Sequence, residues 1–488
     1  MSDIPRETAD TQVHPELAAY YTSRGLRPAP SPDESGSESS GPTLDEENVR
    51  PSNFAEWFAI SQTLLPALLL VPGSQAYRFP VRVGAYAISL VAFVLWWFDR
   101  GGHQQGRHPA ERVLVVVLIV VGLEIAHPNT NSLLAGLAQA GLYFAIFCPL
   151  FWARGYVTTR RQLVRVLVVL LVCNGINAVV GVLQVYDPNR WMPTLSDFYT
   201  SGTAATNAMR GAVTYIGPNG EAIVRPPGLF DTPGAVCGAG TIAALLGLIF
   251  FLEPIAWWKR FVALAMSGAG IAAIYLSHVR VSFVITIGMM TAYAGMLALQ
   301  NQKVRLTKFA GLSAAIVAAS FVFAVALGGS NVTERFASLF AEDPRSLYYA
   351  SRGQAVEYGF TSLLSEYPLG AGLARWGMMR YYFGNPASLD STELFAEVQP
   401  NAWILDGGLF LLALYFVALG VTVVYDLKFI QTLRDSEDRL WAAAVIAANF
   451  GTLPLVFSFV PFGTATGLQF WFLEGCLHGA MANRPRRS

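Results

Sequence analysis

Apolar and polar positions along this chain alternate on the scale of whole helices. Residues 1–53 contain no sustained apolar run, whereas from residue 54 onward long apolar stretches recur with short polar segments between them. Twelve stretches stand out, at about 54–72, 81–98, 113–126, 133–153, 163–186, 234–252, 261–277, 283–299, 309–327, 402–424, 440–460 and 463–482. A helix of roughly 20 apolar residues spans a bilayer core, and only helices or closed barrels satisfy their backbone there. The pattern predicts an all-α polytopic membrane protein with about 12 transmembrane helices. The third stretch, VLVVVLIVVGLEIA, is short for a span and needs flanking residues to snorkel or the bilayer to thin.

Composition points the same way: 53% of the 488 residues are hydrophobic and 14% charged, with mean hydropathy +0.42. The formal net charge is zero, so only the placement of charges carries information. Residues 1–53 are rich in Ser, Pro, Gly and acids and hold too little apolar surface to fold alone, which predicts a disordered cytoplasmic tail. They lack a basic segment followed by an apolar one, so the first span is expected to act as the insertion signal. Cys148, Cys173, Cys237 and Cys476 fall in or beside apolar runs without metal-ligand spacing and read as small buried hydrophobes.

With the N-terminus inside, most of the 33 Lys and Arg fall on cytoplasmic segments, including the basic C-terminus 483–488. The polytopic domain is thus 54–482, and two long loops, 187–233 and 328–401, are expected on the outer face. The second carries a helical pattern of its own, large enough to cap the membrane domain before the tenth span. Arg225, in RPPGLFDTPG, and Arg280, in SHVRVS, sit on that outer face beside apolar spans. An ionisable group there needs an anionic partner or a watery site, and phosphate is the obvious anion. Arg352, Val356, Phe360 and Leu363 share one stripe of an α-helix, so Arg352 is expected to head the inward face. Asp390, Glu393 and Glu397 would form an acidic stripe if their segment is helical.

The order of these motifs carries a resemblance. Gln184 ends one span, RPPGLFDTPG opens the next, and Arg280 lies in a tight outer turn. SRGQAVEYGFTSLLSEYPLGAGLARWG and QPNAWILDGGLFLLALYF come after it, over 351–377 and 399–416. Over roughly 160–425 the chain resembles the O-antigen ligase and O-antigen polymerase superfamily. That resemblance implies a lipid-carrier glycosyltransferase fold in the bacterial inner membrane, with its site on the periplasmic face. It implies transfer of a glycan from undecaprenyl pyrophosphate to an acceptor glycan or lipid, with membrane lipids and other polysaccharide assembly proteins as partners and no nucleic acid. By resemblance, Arg225 and Arg280 handle the pyrophosphate, and Arg352 matches the arginine that opens the loop helix. The ligases carry His-Asn where this chain has Pro400-Asn401, which removes their histidine base and leaves Asn401 as a substrate contact.

The chemistry is coherent without the resemblance. Displacing a polyprenyl pyrophosphate builds charge on the leaving phosphates, and guanidinium groups meet phosphate oxygens bidentately, so no metal and no cofactor is expected. The acceptor hydroxyl needs a general base; Glu397, Glu393, Asp390 and His278 lie on the correct face, and Glu397 is closest to the tenth span. The reading favours an exopolysaccharide or O-antigen polymerase, with an O-antigen ligase or protein O-oligosaccharyltransferase as the alternative. A transporter or lipid-linked sugar flippase is the alternative from another class, although the chain shows no inverted repeat and its unusual charges gather at one face. The bland readings are a loop cation for Arg225, a headgroup anchor for Arg280, a structural ion pair for Arg352, an interfacial side chain for His278 and a solvated acidic face. Glu124, Asp406 and Glu474, in or near spans, read first as hydrogen-bonding groups between helices. No G-x-x-x-x-G-K-[ST] loop, H-E-x-x-H helix or paired C-x-x-C occurs, which argues against an ATPase, a zinc protease or an iron–sulfur protein.

Overall fold

The computed structural model describes residues 53–71, 74–99, 106–191, 214–216, 222–230, 234–341, 343–385 and 394–482. The tail up to residue 52 and the C-terminal residues 483–488 therefore lie outside the described residues. Helices α1 (Phe54–Ala67), α2 (Arg78–Phe98), α3 (Ala110–Glu124), α4 (Leu133–Phe147), α5 (Pro149–Tyr156) and α6 (Arg160–Tyr186) come first. Beyond the first long loop lie α7 (Val236–Phe251), α8 (Trp257–Leu276), α9 (Arg280–Leu299), α10 (Lys303–Gly328) and α11 (Ser330–Ala341). The chain closes with α12 (Gly377–Phe383), α13 (Gln399–Thr432), α14 (Ser436–Thr452) and α15 (Ala465–Ala482). Each of the twelve predicted stretches coincides with a helix. Among the described residues, eight helical segments are long and apolar enough to cross a membrane, and Phe54–Leu70 and Val236–Phe251 are shorter apolar helices. The described chain is almost wholly helical, as expected of an all-α protein, with one short strand pair besides. Within the first long loop, β1 (Thr214–Ile216) and β2 (Ala222–Val224) pair antiparallel, with Tyr215 opposite Ile223.

Small residues set the closest helix contacts. A Cβ on Gly240 of α7 would stand 2.6 Å from Gly270 O of α8, and one on Gly270 would stand 2.5 Å from Gly240 O, so the two backbones touch. This is the small-residue contact by which membrane helices gain packing without a hydrophobic driving force between them. Elsewhere aromatic rings fill the joints: Phe58 of α1 packs edge-on against Trp152 of α5 at 4.9 Å and against Phe472 of α15 at 4.9 Å. All four cysteines are free, and three of them are buried, in keeping with their apolar surroundings.

Helix α13 is broken. α13 loses helical geometry at Gly407 and Gly408, the latter with φ +59° and ψ −148°. Such a break leaves backbone groups without helical partners, which is tolerable at membrane depth only where protein supplies others. A strap at residues 368–371 does so. Leu405 O accepts from Ala371 N–H at 2.7 Å, and Leu409 N–H donates to Pro368 O at 2.9 Å. A Cβ on Gly408 would lie 2.2 Å from Pro368 O, in a backbone region that side chains disfavour. Gly408→Ala is therefore expected to cost at least about 1–3 kcal/mol from backbone strain alone, read as a lower yield and melting temperature of folded protein in detergent. An unchanged melting temperature would show that the strap does not clamp this break.

The second long loop is helical from Pro344 to Glu366, but not evenly so. π-helical turns at Tyr349–Gly353 and Gly359–Leu363 interrupt it. Each π turn adds a residue to the local repeat and rotates the helix beyond it. The stripe predicted from an even α-helical period therefore breaks: Leu363 is buried, whereas Phe360 is 45% exposed. Gly353 and Gly359 take the inward positions instead.

Candidate functional site

Two groups of polar side chains gather the residues singled out by sequence. The first surrounds the turn between α8 and α9. Here His278 adopts φ +57°, a left-handed conformation that His tolerates better than most residues and that lets the chain reverse within three positions. Arg225 donates from Nε to Ser277 O at 3.4 Å, and Arg335 donates from Nε to His278 O at 3.4 Å. Arg280 donates from Nη1 to Ser338 Oγ at 2.6 Å, and Ser338 Oγ donates in turn to Arg335 O at 2.8 Å. Two guanidinium groups thus bond carbonyls of the turn, and a third, that of Arg280 at its end, bonds Ser338 on α11.

Each guanidinium is held by a different piece of local structure. Arg225 precedes Gly228, whose N–H donates to Gln184 Oε1 at 2.8 Å while Gln184 Nε2 donates to Gly228 O at 2.9 Å. Leu229 N–H donates to Asn177 Oδ1 at 2.9 Å, so the R-P-P-G segment is fastened to α6 at two levels. Gly228 has φ +66°, and a Cβ there would meet Asn177 Oδ1 at 2.0 Å, which accounts for glycine at this point. Arg335 and Ser338 ride on α11, whose Val332 and Phe336 are buried. Phe336 packs edge-on against Tyr275 of α8 at 4.8 Å and Phe283 of α9 at 5.6 Å, and this anchors the polar edge of α11 over the turn.

The turn brings three guanidinium groups around His278. Burial, then Arg335 and Arg225, lower the His278 pKa from 6.5 to about 4, so the ring is neutral at ordinary pH. A neutral imidazole beside guanidinium groups adds hydrogen-bonding capacity without adding charge. An anion with several oxygens suits this arrangement.

The second group joins the loop helix of residues 344–366 to the start of α13. Arg352 Nη1 meets Glu397 Oε2 at 2.7 Å in a half-exposed ion pair. Asn401 is buried, and its Nδ2 donates to Ala355 O at 2.9 Å. A Cβ on Gly359 would lie 2.0 Å from Asn401 Oδ1, so the loop helix is pressed onto this side chain. Asn401 thus ties the loop helix to the start of α13. Glu397 lies in a bend just before α13 rather than on a helical stripe. Asp390 and Glu393 fall outside the described residues.

A third polar centre lies at the break in α13. Asp406 is buried and accepts at Oδ2 from Tyr143 Oη at 2.8 Å and Gln139 Nε2 at 3.1 Å, and at Oδ1 from Trp376 Nε1 at 3.0 Å. It ties α4, the segment after the strap and α13 together, the part expected of an inward polar residue. Gln139, Tyr143 and Trp376 also line a cavity with Gln399 and Phe462.

Sequence reasoning found Arg225, His278 and Arg280 but not Arg335 or Ser338. Their signal was the amphipathic segment Ser330–Ala341, in which a polar edge accompanies Val332 and Phe336. No protein-family model matches the chain, and a search of curated proteins finds no match.

Proposed function

We propose that this protein is an inner-membrane glycosyltransferase that joins undecaprenyl-pyrophosphate-linked oligosaccharide units on the periplasmic face, as an O-antigen or exopolysaccharide polymerase. The observation that carries the reading is the convergence of Arg225, Arg280 and Arg335 on the turn that holds neutral His278. Such a set would hold the donor pyrophosphate and neutralise the charge that builds on it as its bond to the anomeric carbon breaks. Glu397 is the proposed general base. Its Oε2 is fixed by Arg352, and Oε1 is the atom that would take the proton of the acceptor hydroxyl while that oxygen attacks the anomeric carbon. The C–O bond to the carrier breaks, and undecaprenyl pyrophosphate departs with the bonding pair. Arg352 and Asn401 belong to the acceptor side, the first by orienting Glu397 and the second by setting the loop helix.

This reading requires twelve spans and both long loops outside. Reporter fusions at about residues 210 and 370 are expected to behave as periplasmic, and fusions near 105, 304 and 432 as cytoplasmic. A cytoplasmic signal at 370 would place Arg352 and Glu397 away from a periplasmic glycan and end the proposal.

A further inference from the structure

Away from the arginine turn, His108, Asp426 and Glu474 bring a ring nitrogen and one oxygen of each carboxyl within 4.8 Å of one another. They come from the segment leading into α3, from α13 and from α15, and all three are buried. An oxygen of the Asp426 carboxyl lies within 4.8 Å of one of Glu474, and Asn449 Nδ2 donates to Glu474 Oε1 at 2.6 Å. Two adjoining carboxylates in such a place cannot both stay ionised without a cation between them.

The cation is either a metal ion or a proton, and His108 decides between them. Its Nδ1 accepts from Ala110 N–H at 3.2 Å, so Nδ1 presents its lone pair and the single proton of the neutral ring sits on Nε2. Burial first, then His478 and Arg154, lower the His108 pKa to about 3, which keeps the ring neutral. Nε2 is buried and has no hydrogen-bond partner among the described residues, and the same holds for Asp426 Oδ1. A ring in this tautomer offers a donor, not a lone pair, and to ligate a metal through Nε2 it would have to move its proton to Nδ1 and give up the bond from Ala110 N–H. The remaining polar groups around the triad have other partners. Tyr425 Oη meets His478 Nδ1 at 2.7 Å, His478 Nε2 meets Gly106 O at 2.9 Å, and Arg154 pairs with Glu111.

We propose that Asp426 and Glu474 hold one shared proton, with His108 Nε2–H beside them, as a buried proton-binding site that joins α13 to α15. Removing that proton would leave two like charges in contact between the helices it joins. The test is infrared spectroscopy of the full-length protein in lipid nanodiscs at neutral pH, in H₂O and D₂O, comparing wild type with Asp426→Asn and Glu474→Gln. The expected result is a protonated-carboxyl C=O band, shifted by deuteration, that is lost or displaced in each variant. Asn and Gln mimic the protonated acid in shape and charge, so both variants are expected to fold. Three results would overturn the proposal: a carboxyl region unchanged in both variants, failure of both isosteric variants to fold, or a stoichiometric metal ion in purified wild-type protein that His108→Gln removes.

Discussion

Arg225→Ala and Arg280→Ala are each expected to reduce glycan output by at least about 10²-fold, a loss typical of removing one donor from a charge-stabilising site. The physical reason lies at the α8–α9 turn. Guanidinium groups keep their charge in a semi-dry setting and present parallel donors to phosphate oxygens, and no neutral side chain replaces either property. Arg→Lys at either position is expected to restore little, because an ammonium is a point charge without the fork. Arg335→Ala belongs to the same series, since its Nε donates to His278 O in the same turn. The measurement is glycan output beside the amount of membrane-inserted protein, which separates lost transfer from lost folding. Normal output from both alanine variants at normal protein level would return these residues to the part of interfacial anchors.

A deletion strain is expected to accumulate single repeat units, on the carrier or capped onto lipid A core, and to lose the long polymer altogether. The expectation rests on Pro400, which stands where the resembled ligases carry histidine, and on Glu397 as the candidate acid nearest that end of α13. A ligase would leave the opposite trace, long chains on the carrier and none on the core. Glycan profiling of the deletion strain against its complemented parent reads this directly. Long carrier-linked chains would overturn the polymerase assignment and leave the role of the arginines intact.

Periodicity and charge set what was legible in the sequence. Every apolar stretch became a helix because backbone hydrogen bonding leaves no other choice for such segments. Arg225 and Arg280 could be singled out because cations beside apolar runs are costly, above all on the face that the charge pattern predicts to be the outer one. Backbone irregularities were harder to read. The break at Gly407–Gly408 lies inside an apolar run and depends on a strap some 40 residues earlier, whose Ala371 N–H and Pro368 O satisfy the freed groups. The π turns in the loop helix shift its face without any change in composition, so the inward stripe drawn through Phe360 was misplaced. Arg335 escaped notice because only the packing of Phe336 against Tyr275 and Phe283 aims α11 at the turn. The triad of His108, Asp426 and Glu474 is assembled from residues far apart in the chain, and no spacing announces it.

The central claim is transfer from a polyprenyl-pyrophosphate donor with arginines in place of a metal ion. Its most direct test is purified protein incubated with an undecaprenyl-pyrophosphate-linked oligosaccharide in excess chelator, with product length and released undecaprenyl pyrophosphate measured together. Longer carrier-linked glycan and stoichiometric release of undecaprenyl pyrophosphate are expected, because guanidinium groups carry the leaving-group charge. No transfer with or without added Mg²⁺ or Mn²⁺, from protein that remains folded, would contradict the claim, and transfer only with added metal would contradict the part assigned to the arginines.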